Sequence, residues 1–470
     1  MSAAVVVRGP ILNPRPDGRV DYFPDGVLAG DERGKIVAVG DWNECSPQLG
    51  PAARSARAAL GWIVPPFLDA HIHIPQHPIR GRFLEGVHGS PPEGTLLAGL
   101  NRNVFPAEGR CADRSLAQHV VEDFRRDTLA HGVVGGAAYM TVHAQATAAA
   151  LAGLPDPWSV GLVLMQRSCP EYLRTDEPNL ERDTIQLAGD FGPRVIMTDR
   201  FAGAVDTPLR LRGVELARRF NLRMQTHLNE QIAEKAWIES LYPDAAGYTD
   251  VYRRDGLLDR AAIVAHAVRM RPEEFDMLAA ASAHGAAVAH CPVSNTLLGS
   301  GVMPLDELVA RKIPYALCTD VGASPTTSLL CEMVQFLRVH RGRSRFATPA
   351  EALLCVTLAP AQILGMADRL GSFEPGKECS FVEVAGPAPN QVPPDADGAI
   401  LRGLLEVSDD DLARFDAGGK LRPLLDQLVD RGLPAGEALH TLTADVEQTA
   451  RRLNDKIQRV TLAGSPVWPE

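Results

Sequence analysis

The sequence has no apolar run long enough to cross a membrane. No segment reaches the roughly 18 consecutive apolar residues of a membrane-spanning helix. The opening residues, MSAAVVVRGP, also lack the basic stretch and long apolar core that are typical of a secretion signal. We therefore expect a cytoplasmic protein with no membrane partner.

Cysteine is present but forms no pattern. The eight cysteines are scattered between Cys45 and Cys379, with no CxxC pair and no regular spacing. Small secreted scaffolds and cysteine-based zinc sites both depend on such spacing. The scatter argues against a disulfide framework and favours a reducing compartment.

Positive charge is neither in excess nor concentrated in one segment. The 58 acidic residues outnumber the 47 Lys and Arg residues, which gives a formal net charge of −11. Nucleic acids and anionic membranes are bound through basic patches. We therefore expect no nucleic-acid partner, and a small neutral substrate fits better.

The residues that are present predict an α/β fold of two parts. Residues 1–60 hold short apolar runs between turns, which predicts the N-terminal part of a small β-sandwich domain. Residues 61–365 alternate apolar strands with helix-patterned stretches, as a (β/α)8 TIM-like barrel does. Residues 366–470 return to strand patterns and should complete the β-sandwich, with a helical insertion at about 404–455.

Eight short apolar segments fit the strands of such a barrel, the number that a closed barrel needs. They are residues 62–73, 133–143, 160–166, 194–199, 222–228, 262–268, 286–292 and 314–320.

Histidines and an aspartate stand at the ends of several of these segments. His71 and His73 are one residue apart, so strand alternation points both imidazoles to the same side. Further strand ends supply His227, His266, His290 and Asp320. Barrel enzymes place their chemistry at this rim, and imidazole and carboxylate ligands suit a catalytic zinc, although iron would tolerate them.

Longer motifs carry a resemblance to a known family. The motifs that carry it are PPFLDAHIHIPQ, FPAE, QTHLNEQ, LYPDAAGYTDVY, AHCPVSN and CTDVG. Through these motifs the chain resembles guanine deaminases of the amidohydrolase superfamily, in its mononuclear zinc aminohydrolase branch, over about residues 60–365.

We predict one zinc ion per subunit. Binuclear relatives usually bridge two metals with a carboxylated lysine from a middle strand, and this chain has no lysine between Lys35 and Lys235. His71, His73, His227 and Asp320 are the predicted ligands. His266 is a remaining ligand or an orienting partner.

The predicted reaction is deamination of guanine by a metal-activated hydroxide. Asp320 would accept the water proton, and Glu230 would protonate the ring nitrogen and then the leaving amine. The alternative for Glu230 is a carboxylate that stabilises a helix N-terminus. The resemblance implies that His290 stabilises charge beside the hydroxide, and its alternative is an outer hydrogen-bonding residue.

Substrate contacts are predicted at Gln76, Arg200 and Phe201, which occupy positions that resemble guanine contacts in the family. A carboxamide pairs with a purine edge, and a guanidinium donates to an oxo group. The resemblance also implies a homodimer and a role in purine catabolism.

Departures from the family pattern keep other substrates open. Relatives carry an aromatic residue in LLEWL before FPAE, whereas residues 96–100 here read LLAGL, which removes a ring that could stack on the base. The alternatives are 8-oxoguanine, a pterin, an s-triazine or another amino- or halo-substituted heterocycle. A scaffold without catalysis is the third possibility, and the intact ligand set disfavours it.

Overall fold

The structure is a computed structural model that describes residues 3–88, 94–431 and 437–469. It confirms the predicted fold class, an eight-stranded parallel barrel with a smaller β domain from both ends of the chain. Of the helices in these ranges, none is both long enough and apolar enough to span a bilayer.

The β domain is one eight-stranded sheet that joins the two ends of the chain. Its inner apolar faces bury Val7, Ile11, Ile63 and Phe381, which gives this domain a core of its own. In chain order, its strands are Val5–Pro14, Val20–Gly30, Ile36–Asp41, Arg57–Ala58, Trp62–Val64, Phe381–Val384, Ile457–Leu462 and Ser465–Trp468.

The predicted strand 62–73 is two strands in the structure. Trp62–Val64 pairs with Phe381–Val384 in the terminal sheet, and Phe67–His73 is the first strand of the barrel. Pro65 and Pro66 lie between them. Since proline has no backbone N–H to donate to a ladder, the break falls there.

The barrel strands follow one another in chain order around the sheet. Backbone hydrogen bonds from His73 N to Val321 O (2.9 Å) and from Asp320 N to His71 O (3.0 Å) join the segment after the eighth strand to the first. The barrel is therefore closed at the carboxyl ends of its strands. Its strands are Phe67–His73, Val133–Tyr139, Trp158–Leu164, Val195–Asp199, Arg223–Leu228, Ala262–His266, Ala287–His290 and Tyr315–Leu317.

Helices surround the barrel and cover the apolar outer faces of its strands. They are Arg114–Ala130, Ala144–Gly153, Glu177–Phe191, Thr207–Arg219, Ile232–Leu241, Tyr248–Arg254, Pro272–Ser282, Pro292–Leu297, Leu305–Ala310, Leu329–Val339, Pro349–Leu354 and Leu358–Leu364. Further helical pieces lie at Trp42–Leu49, Gly94–Gly99, Leu100–Val104, Phe105–Arg110, Ala396–Gly398 and Ala399–Leu404.

The insertion expected at 404–455 forms the helices Asp409–Ala413, Arg422–Arg431 and Glu437–Leu453. The last of them packs on the barrel helix Leu329–Val339. Between the two, buried Arg338 donates to Asp445 Oδ2 (3.0 Å) and to Thr449 Oγ1 (2.7 Å). This buried ion pair joins the insertion to the barrel.

Candidate active site

The predicted metal ligands converge at the closed rim of the barrel. One donor atom each from His71, His227, His266 and Asp320 lies within 4.8 Å of all the others. His73 joins them, because its Nε2 is 3.1 Å from Asp320 Oδ1 and 3.4 Å from His227 Nε2. All five side chains predicted to hold a metal therefore meet at one point.

Strand geometry explains the convergence. His71 and His73 lie two residues apart on the first strand and so point to the same side. His266 and Asp320 take positive φ angles of 75° and 53° where their strands end. Non-glycine residues seldom adopt that conformation, which is typical of positions that the surrounding fold holds for function.

Outer hydrogen bonds turn the ring nitrogens inward. His227 Nδ1 lies 2.5 Å from the backbone oxygen of Arg200, and His266 Nδ1 lies 2.9 Å from Asn295 Oδ1. Since both oxygens are acceptors, each Nδ1 donates and each Nε2 keeps its lone pair for the centre. Ser294 donates to Asp320 Oδ2 (2.6 Å), which leaves Oδ1 facing the histidines.

The donor set fits a metal ion. Among the described residues, both ring nitrogens of buried His71 and Nδ1 of His73 have no hydrogen-bond partner. His71 Nε2 is 3.3 Å from Asp320 Oδ1, but without the geometry of a hydrogen bond. Burial lowers the pKa of His71 to about 4, so the ring is neutral and can act as a ligand. Unpaired buried nitrogens are costly unless something binds them, so the cluster fits a cation.

Glu230 lies beside this cluster, just after the strand that carries His227. Its Oε1 accepts from Ser300 Oγ (3.0 Å), and its Oε2 is 3.7 Å from His266 Nε2. Burial raises the pKa of Glu230 to about 7. A carboxyl group with such a pKa can hold and release a proton near neutral pH.

A buried carboxylate joins two of the predicted substrate contacts. Glu108 accepts from Arg200 Nη1 at 2.7 and 2.6 Å through its two oxygens, and from Gln76 Nε2 at 3.0 Å. All three side chains are buried. Because a carboxylate only accepts, Gln76 must present its amide nitrogen to Glu108. Its Oε1 accepts from Gly322 N at 3.4 Å and keeps a second lone pair with which to accept from a ligand.

Most of these side chains line one cavity, whose empty space of about 420 Å³ includes its open mouth, and His71 and Glu108 are not among its lining residues. Its polar side is formed by His73, His227, Glu230, Glu234, His266 and Asp320, with Gln76 and Arg200 beside them. Its apolar side is formed by Phe83, Leu96, Leu100, Phe201 and Leu298. The cavity is lined by both polar and apolar side chains, a combination that suits a small molecule with a flat ring.

His290 is placed differently from the other predicted residues. It is buried and does not line the cavity, and its Nε2 lies 3.0 Å from Nε2 of His340. Its ring also contacts Phe336 edge-on. The role expected for it beside the hydroxide stays a prediction, and no step of the chemistry depends on it.

Two positions needed the structure to be understood. Glu108 belongs to the FPAE motif, but the sequence alone assigned it no role, because its partners are 32 and 92 residues away. Asp199, which precedes the predicted contacts Arg200 and Phe201, does not line the cavity but pairs with buried Arg210 at 2.7 Å. A carboxylate inside a recognised motif was the available signal for Glu108.

Comparison with known proteins extends beyond the barrel. The model of the Amidohydrolase family matches residues 62–411. Guanine deaminase of Escherichia coli (strain K12) is 31% identical over 369 residues, which are 77% of this chain and 81% of that protein. A probable guanine deaminase of Deinococcus radiodurans is 32% identical over 383 residues, 78% of this chain and 84% of that one. The solved structure of the E. coli guanine deaminase aligns with a TM-score of 0.74 at 25% identity, over 99% of both chains.

Proposed function

This chain belongs to the amidohydrolase family, and on that premise we propose that it hydrolyses guanine to xanthine and ammonia. One observation carries the proposal. Glu108 holds the side chains of Arg200 and Gln76 through hydrogen bonds. The guanidinium group of Arg200 is a donor and the amide oxygen of Gln76 is an acceptor, and both side chains line the same cavity as the histidines and Asp320. A recognition edge and a hydrolytic centre thus face one small space.

The hydrogen-bonding groups of Arg200 and Gln76 favour a purine with an oxo group at carbon 6 over one with an amino group there. Guanine carries a carbonyl oxygen at carbon 6 and an N–H next to it, which match a donor and an acceptor. Adenine carries an amino group in place of that oxygen. Arg200 can only donate, so it cannot accept a hydrogen bond from an amino group. An unpaired donor in a buried site costs binding energy, and the site should therefore select guanine.

We propose zinc as the metal, one ion per chain, held by His71, His73, His227 and Asp320 with His266 as a further ligand or orienting partner. Nitrogen and carboxylate donors in a small cluster are a combination typical of catalytic zinc, although iron also accepts them. When bound, the metal supplies Lewis-acid activation of water.

The remaining chemistry is proton transfer by the side chains of this chain. Asp320 accepts a proton from the attacking water, whose oxygen bonds to carbon 2 of the base. Glu230 gives its proton to the ring nitrogen, takes up the proton of the hydroxyl group now on carbon 2, and gives that proton to the exocyclic amine. The proton on Asp320 then returns to Glu230, so both carboxyl groups regain their starting state. The bond between carbon 2 and that amine breaks, ammonia leaves, and the oxo group of xanthine remains.

The relatives support the same substrate. Two proteins that share about a third of their residues with this chain are described as a guanine deaminase and a probable guanine deaminase, and each match covers more than three quarters of this chain. A homodimer and a cytoplasmic location remain predictions from the sequence. A role in purine catabolism follows if guanine is the substrate.

The test is ammonia release by metal-loaded protein from a set of ring compounds. We expect turnover of guanine that a chelator abolishes, and at least tenfold less from adenine, cytosine, pterin, 8-oxoguanine and melamine. The variant Glu230→Gln serves as the inactive control. Ammonia release confined to another ring would contradict guanine as the substrate while keeping the chemistry.

A further inference from the structure

Resting on the proposed function, we infer that Phe83 binds and positions the substrate by forming the aromatic wall against the base. Its ring lines the cavity, and the residue is only 7% exposed. Phe83 lies seven residues after Gln76, outside every motif that carried the family resemblance. The cavity therefore has an aromatic side chain close to the place where LLAGL lacks one.

Gly99 of LLAGL leaves the room that this ring needs. A Cβ built on Gly99 would lie 2.7 and 2.8 Å from two carbons of the Phe83 ring, and 3.0 Å from the Phe83 backbone oxygen. Such distances are closer than carbon atoms in contact allow. Any other residue at position 99 would displace the ring.

The backbone of Gly99 gives no other reason for glycine. Its φ of −64° and ψ of −44° are ordinary helical values that every residue adopts. Glycine is among the least favourable residues inside a helix. Its presence here is explained by the contact with Phe83 rather than by the helix.

Hydrogen bonds from the same helical stretch hold the turn that carries Phe83. Asn103 Nδ2 donates to the backbone oxygens of Phe83 (2.9 Å) and Glu85 (3.0 Å). Gly81 N donates to Gly322 O (2.9 Å), close to Asp320 in sequence. The ring is therefore fixed relative to both the helix and the hydrolytic centre, as a wall that orients a flat base must be.

The experiment is a double-mutant cycle in steady-state guanine deamination. We expect Phe83→Ala to raise KM for guanine about tenfold with kcat changed less than about threefold, because only stacking contact is lost. Gly99→Ala should also raise KM, since its methyl group pushes the ring away. The double variant should match Phe83→Ala alone, because the methyl then has nothing to displace.

A matched control is available in another helix. Gly189 lies in Glu177–Phe191, and no described atom comes within 4 Å of an added Cβ there. Gly189→Ala should leave KM and kcat unchanged. If Phe83→Ala does not fold, Phe83→Leu is measured in its place, and we expect its KM for guanine to be about threefold higher than that of the wild type.

The possible results separate this inference from the function on which it rests. Wild-type protein that deaminates guanine, combined with an unchanged KM in the Phe83 variants or additive effects in the cycle, overturns the role of Phe83 alone. Wild-type protein that releases no ammonia from guanine overturns the proposed function, and the inference with it. A raised KM with a non-additive double variant supports both.

Discussion

The two sides of the cavity are built in different ways. The hydrolytic side comes from the ends of barrel strands, where hydrogen-bonded neighbours fix His73, His227 and His266 in register. The recognition side comes partly from the segment after the first strand, which carries Gln76 and Phe83, and partly from Arg200 and Phe201, which follow the fourth barrel strand. The strand ends therefore fix the chemistry, whereas the choice of ring also depends on a connecting segment.

The largest effect should come from the hydrolytic side. Asp320→Asn removes the charge that faces His71 and His73 at 3.3 and 3.1 Å. We expect a loss of roughly 10⁴-fold or more in kcat/KM together with reduced bound metal, because a ligand and a proton acceptor are lost at once. Elemental analysis and initial rates measure the two effects. Full metal content with more than a tenth of the wild-type rate would count against this role.

The next effect should be confined to turnover. Glu230→Gln keeps the shape of the side chain but cannot carry the proton, so we expect kcat to fall roughly 10²- to 10⁴-fold while KM changes little. Ser300→Ala, which removes only the hydrogen bond to Glu230 Oε1, is the control and should cost a few-fold. Unchanged turnover in Glu230→Gln would leave this carboxylate a purely structural part of the helix start.

A smaller effect, of a different kind, should come from the recognition side. Glu108→Gln removes the negative charge opposite Arg200 and replaces one of the two oxygens that accept from Arg200 Nη1 by an NH2 group, which cannot accept. We expect KM for guanine to rise roughly 10- to 100-fold with a modest change in kcat, because positioning is lost but the proton groups stay. The discrimination against adenine should weaken in the same assay. A fall in kcat with unchanged KM would instead assign Glu108 to the hydrolytic side.

The smallest effect on activity should come from a buried carboxylate outside the cavity. Asp445→Asn weakens the ion pair with Arg338 that fastens the helical insertion. Breaking a buried pair costs about 3 kcal/mol, so thermal unfolding should begin at a lower temperature while kcat stays within about twofold. A loss of activity at temperatures where the variant is folded would connect the insertion to the site.

The same contrast explains what the sequence could predict. Alternation along a strand is a local property, so the residues themselves assign HxH and the later strand-end side chains to one rim. The contacts of Phe83 and Glu108 could not be predicted in this way. Phe83 meets Gly99 and Glu108 meets Arg200 only after the segments fold against each other, and neither contact leaves a periodic pattern.

The insertion and His290 illustrate the same limit. Helical patterning predicted the insertion, but contacts made after folding, such as the buried pair Arg338 and Asp445, show that it packs on the barrel. The AHCPVSN motif located His290 at a strand end, but the side chain pairs with His340, 50 residues further along the chain. Motif position predicts the strand end and does not determine which neighbour the ring meets.

Guanine deamination by one metal ion, held at the strand ends, can be tested by a zinc titration of metal-stripped protein. Xanthine formation from guanine is followed by absorbance as zinc is added. We predict no turnover without metal and a linear rise that ends at one zinc per chain. Turnover in the metal-free protein, or a rise that continues to two zinc ions per chain, would contradict a single-metal mechanism.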